Sequence, residues 1–207
     1  MYRLTYLLGL LAASPSLAAG PAQQSSPALE ALVKTADYQA NVARLFSLIP
    51  PDVFQRCPSL VSAGSTVTML QPVSFASDGY PLSGLWKQSF PVSGCGNDTT
   101  INLFFQGQAN EKIGSVVGIP GQTHAGLTLQ RDALRYVGVA LAAVARGCTD
   151  VHVRSSTYDS GPSRDPKAAW HETWKSAACG HVYDVPLDFI PDATGTTIRT
   201  KVLRPAS

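Results

Sequence analysis

Two stretches, "WKQSFPVSGCG" (86–96) and "WHETWKSAACG" (170–180), decide how this chain is read. Each sets a tryptophan nine positions ahead of a Cys-Gly pair. Six, eight and ten positions beyond the cysteine stand Ile101, Leu103 and Phe105 in the first case, and Val185, Leu187 and Phe189 in the second. Alternation of that kind puts one apolar row on one face of a strand. The turn residues at Cys95-Gly96 and Cys179-Gly180 then predict two hairpins. Five of the twenty positions from Trp86 to Phe105 are identical to those from Trp170 to Phe189, and they include Trp, Cys and Gly.

Working outward, each hairpin is preceded by the same order of helix, cysteine and β-rich run. Residues 27–47 predict one amphipathic helix, capped by Ser26, with Leu29, Leu32, Val33, Ala36, Ala40 and Ala43 as its apolar face. Pro50-Pro51 stops it; Cys57 and "STVTML" (65–70) follow. In the second half, residues 127–146 predict a helix closed by Gly147, followed by Cys148 and the alternating run "DVHVR" (150–154). The expected fold is therefore α+β, a tandem duplication of an α-β-β-β unit with two helices packed on antiparallel sheet. The expected divisions are a signal peptide (1–18), a flexible leader (19–26), a first copy (27–114), a flexible connector (115–126) and a second copy (127–207). The two copies are expected to share one fused domain, because half-modules of this size bury too little surface alone.

The first 18 residues have the three parts of an export signal: Arg3, the apolar "LTYLLGLLAA" (4–13), and a small-x-small site at Ser16-Leu17-Ala18. Export to the periplasm or the exterior implies that the four cysteines pair. If the halves are copies, the bridges are Cys57–Cys95 and Cys148–Cys179. Removal of the leader takes away one charged residue, Arg3, leaving 15 Lys/Arg against 14 Asp/Glu. That balance excludes a nucleic-acid binder, which needs a basic stripe. The charges are scattered along the sequence and cluster nowhere in a way that suggests an anionic membrane. No segment of the mature chain reaches the length of a transmembrane span.

His171-Glu172 resembles the start of a zinc-hydrolase H-E-x-x-H, but Lys175 occupies the second histidine's place and the local alternation is that of a strand. No metal and no cofactor are expected. Trp170, Glu172 and Trp174, with His171 and His181, are the candidate binding residues, since a carboxylate between two indoles can hold a ligand's hydroxyl or amine. His152 is expected to face away from the core, within reach of Asp184 or Asp188 if the first and third strands of its half are neighbours. The functional expectation is an exported, non-enzymatic binding or assembly scaffold for an unknown protein or small ligand. The alternative is an exported hydrolase or metal-dependent enzyme with its site in the second copy. A secreted toxin or inhibitor fits the same size and disulfides.

Overall fold

Ser26 accepts a hydrogen bond from the Leu29 amide and Pro27 occupies the first turn, so a helix starts where the sequence asks for one. It does not run on to residue 47. In the computed structural model, which describes residues 26–54, 61–94, 97–109, 112–161, 168–201 and 204–205, helix α1 covers Pro27–Leu32 and a second helix, α2, covers Ala36–Phe46. Thr35 makes the break: its hydroxyl donates to the Leu32 carbonyl and accepts from the Tyr38 amide, capping α2. The break re-aims the buried face. Leu29 and Leu32 of α1 are buried, but in α2 the buried residues are Tyr38, Val42 and Leu45, while Ala36, Ala40 and Ala43 are exposed. The apolar face expected across residues 27–47 is corrected accordingly.

A single 3-10 turn, Pro51–Phe54, leads into β1 (Val61–Ser62) and a meander of β2 (Thr66–Phe75), β3 (Pro81–Gly94), β4 (Asn97–Gln108) and β5 (Lys112–Val117). All pairings in this five-stranded sheet are antiparallel. α1 and α2 cover the face carrying Trp86, Ile101, Leu103 and Phe105, each of which is completely buried.

The second half has one helix, α3 (Leu127–Val144), and a second antiparallel five-stranded sheet. Its strands are β6 (Val151–Ser160), β7 (Trp170–Ala178), β8 (His181–Asp192), β9 (Gly195–Thr200) and β10 (Arg204–Pro205). Ala133, Val137 and Leu141 of α3 pack on Trp174, Val185, Leu187, Phe189 and Ile198, forming a cluster separate from that of the first half. The protein is thus mixed, mostly strand, with three α-helices among the described residues rather than the two expected. Cys148–Cys179 is bridged, with its Cα atoms 5.7 Å apart, and ties the end of α3 to the β7–β8 hairpin. The other expected bridge, Cys57–Cys95, lies outside the described residues.

Both hairpins close at the same points. Trp86 sits opposite Phe105, Gln88 opposite Leu103 and Phe90 opposite Ile101; Trp170 sits opposite Phe189, Glu172 opposite Leu187 and Trp174 opposite Val185. Each pair in the second half stands 84 positions after its counterpart in the first.

The glycine-rich stretch after β5, expected to be a flexible connector, is held from both sides. Gly118 and Gly121 donate to the carbonyls of Asn102 and Thr100 on β4, each at 2.7 Å. On the other side, the Ser156 amide donates to the Pro120 carbonyl and the Gln122 amide to the Ser156 carbonyl. A chain can pass here only without a side chain. Gly121 has φ +95, and a Cβ on it would lie 2.2 Å from the Ser156 carbonyl oxygen. Buried Asn102 clamps the same stretch by donating to the Ile119 and Gly121 carbonyls, and Gln130 of α3 accepts from the Ile119 amide.

Candidate functional site

The strand period separates the five candidate binding residues. Trp170, Glu172 and Trp174 point from β7 toward the core, with Glu172 and Trp174 completely buried. Glu172 joins the trio: one carboxylate oxygen accepts from the Trp170 indole N–H at 2.9 Å and the His124 amide at 2.8 Å, the other from the Trp174 indole N–H at 2.8 Å. His171 lies on the opposite face, exposed, 2.6 Å from Asp188. His181 is exposed at the start of β8, and no hydrogen bond joins it to the other four among the described residues. The inward trio is therefore a cluster of its own.

The corresponding position in the first half is Gln88, also buried. Its amide oxygen accepts from the Tyr38 hydroxyl at 3.0 Å, and its amide nitrogen donates to Ser65 at 2.8 Å. The Trp86 indole donates to the same Tyr38 oxygen at 3.1 Å. Burial pushes the Tyr38 phenol well above the ordinary tyrosine range, and the Trp86 hydrogen bond offsets only part of that rise.

Lys175, standing where a second zinc-binding histidine would be needed, pairs with Asp184 at 3.0 Å. Among the described residues no group of three or more His, Cys, Asp or Glu side chains is arranged to hold a metal ion. His152 turns outward as its alternation requires, but β6 pairs with β7 and not with β8. Its partner is Asp52, from the first half, with both carboxylate oxygens 2.8 Å from Nε2; Asp150 lies 3.6 Å from Nδ1. Arg154 donates to the Asp52 carbonyl and lies 3.4 Å from its carboxylate. This polar contact joins the 3-10 turn of one half to the first strand of the other.

Beside it opens a cleft of about 610 Å³ whose walls come from both halves. Ser93 and Thr99 line one side, Ser155 and Thr157 the other, and Gln122 of the connecting stretch and Arg154 also reach it. The Thr99 hydroxyl is buried without a hydrogen-bond partner among the described residues. Sequence reasoning did not find this cleft. The polar alternation Ser155-x-Thr157 was its one local trace, and nothing local says that Ser93, Asp98, Thr99 and Thr100 would face it.

No protein-family model, curated protein or solved structure matches this chain.

Proposed function

We propose that the protein is an exported, non-enzymatic scaffold of the envelope or the extracellular medium that seats an extended segment of a partner protein between its halves. The cleft carries this reading. It needs both halves, and its walls are hydroxyl and amide groups with apolar patches at Val53 and Val182. Arg154 and Lys175 reach it already engaged by Asp52 and Asp184, so an uncharged, hydrogen-bonding chain suits it better than an anion. An extended peptide offers alternating donors and acceptors of that kind. The protein's own residues 118–122, hydrogen-bonded between β4 and β6, are a precedent for main chain lodged in this region.

Export is supported by the residue 1–18 pattern, and a disulfide at Cys148–Cys179 is compatible with an oxidising compartment. The equal registers support descent of the two halves from one α-β-β-β unit, held in one fused domain by the stretch between them. The rival hydrolase reading draws no support from Glu172, since three N–H donors already occupy its oxygens and leave it a support for the two indoles.

A photo-crosslinking residue at Ser93, and separately at Ser155, probes the two walls in the exporting cell. Both positions should capture the same partner, and Thr157→Trp, which fills the cleft, should abolish both adducts. Capture from neither wall, or capture indifferent to the filled cleft, would sink the reading.

A further inference from the structure

The main chain of a strand alternates as its side chains do, so each residue of β4 turns its N–H and C=O either toward β3 or away from it. Two observations say which. The Thr100 and Asn102 carbonyls accept from Gly121 and Gly118, on the side away from β3. Opposite Thr100 stands Pro91, whose carbonyl accepts from Ala63 on the far side of β3, so Pro91 and Thr100 exchange no ladder bond. The β3–β4 register runs without a shift from Asn97 to Gln106. Asp98, two residues before Thr100, therefore turns its main chain away from β3 as well.

Among the described residues, no strand lies along that edge. β5 pairs with β4 from Leu103 to Gln108. Residues 118–121 extend the cover as far as Thr100, and the chain then departs, bringing the His124 amide to Glu172 in the second half. No hydrogen bond outside the β3–β4 ladder reaches the main chain of Asp98 or the Thr100 N–H among the described residues. Asp98 and Thr100 line the cleft. Open edges attract other strands, and proteins blunt them with proline or bulges. β2 carries Pro72 and three register shifts, and β6 carries Arg154 as an extra residue between Val153 and Ser155. The Asp98 edge has neither device. The wall of Arg154, Ser155 and Thr157 across the cleft guards it instead, leaving it open to a single chain.

We propose that the partner's extended segment adds to β4 as a strand, held by the N–H and C=O of Asp98 and the N–H of Thr100. Strand addition takes its affinity from main-chain bonds and leaves the segment's side chains to the hydroxyl and amide groups of the cleft walls. This mode rests on the cleft holding an extended chain, and it names the groups that hold it.

The test places a photo-crosslinking residue at Ser155, across the cleft from β4, in the full chain in the exporting cell. Asp98→Pro removes one N–H and should lower the adduct yield about tenfold. Because that N–H makes no ladder bond, the purified variant should unfold at the same urea concentration as the unsubstituted protein. Asp98→Ala keeps the N–H and should retain the adduct. In the isolated adduct, the Asp98 and Thr100 amides should exchange with deuterium more slowly than in the free protein. Equal loss of adduct in Asp98→Ala and Asp98→Pro overturns the proposal, because recognition then runs through the carboxylate. Unfolding of Asp98→Pro, or amides left unprotected in the adduct, overturns it too. An adduct indifferent to Asp98→Pro removes the added strand and leaves the cleft reading standing; no adduct from the unsubstituted protein removes both.

Discussion

Gln88 and Glu172 occupy the same register position in two sheets, each buried beside an indole, yet one is an amide and the other a carboxylate. The partners account for the difference. Around Gln88 stand a phenol that donates and a serine that can accept, so a side chain with both functions is satisfied. Around Glu172 every partner is an N–H donor, two indoles and the His124 amide, and only a group that accepts throughout can meet all three. The polar centre of each half is thus chosen by what the helix or loop above brings down to it. In the first half α2 supplies Tyr38; in the second the stretch before α3 supplies a bare amide.

The largest way to break this comparison is at Glu172. Glu172→Ala strands three donors in the core and should lower stability by about 3–5 kcal/mol, measured by urea denaturation. Glu172→Gln, which turns the second half toward the chemistry of the first, should cost roughly half as much. Its amide nitrogen meets a donor while its oxygen still accepts. A stability loss below about 1 kcal/mol for Glu172→Ala, on the scale of a single hydrogen bond, would mean that the carboxylate does not hold the indoles together.

A smaller effect is expected at Tyr38. Tyr38→Phe leaves Gln88 and Trp86 short of a partner and should cost about 1–3 kcal/mol. The pH dependence sharpens it. Because the folded phenol's pKa is raised above its ordinary value of 10.0, the stability it contributes is complete below about pH 10. That contribution is lost as pH rises further, when the unfolded chain ionises and the folded one does not. Tyr38→Phe should flatten that alkaline decline, and a profile identical to that of the unmodified protein would show that the phenol is not the cause.

The smallest effect belongs to the β8–β9 turn, where the second half has a device at Asp192. Its carboxylate accepts from the Thr194 hydroxyl and amide, the Thr197 hydroxyl and the Gly195 amide. These bonds, led by those from Thr194, lower its pKa to about 2. The stabilisation is therefore present above the ordinary carboxylate pKa of 3.8 and is lost as pH falls through about 2. NMR titration of the Asp192 carboxyl should show a midpoint near 2, and Thr194→Val should move it back toward 3.8.

Much of the second sheet is legible in the sequence alone. The facing of Val185, Leu187 and Phe189, the turn at Cys179-Gly180 and the outward His152 all follow from a period of two, which needs only neighbours along the chain. The candidate site was legible only in part. Trp170, Glu172 and Trp174 do meet, but His171 lies across the sheet from them by the same alternation. The donors that occupy the carboxylate include His124, 48 positions away, which no local pattern announces. The helix expected over residues 27–47 failed for a local reason: apolar spacing continues from Val33 to Ala36, but Thr35 caps a second helix between them.

What the sequence determined by itself was local periodicity: which strands alternate, where Cys179-Gly180 turns the second hairpin, and that Cys148, just after the second helix, is placed to pair with Cys179. Tertiary structure decided everything that joins distant residues. It laid residues 118–122 between two sheets, gave His152 to Asp52 instead of Asp184, and opened a cleft between the halves. Backbone geometry repeats every two or 3.6 residues and can be read from neighbours. Contacts across 50 or 100 positions depend on how two sheets settle against each other, and that is written in no single stretch of the chain.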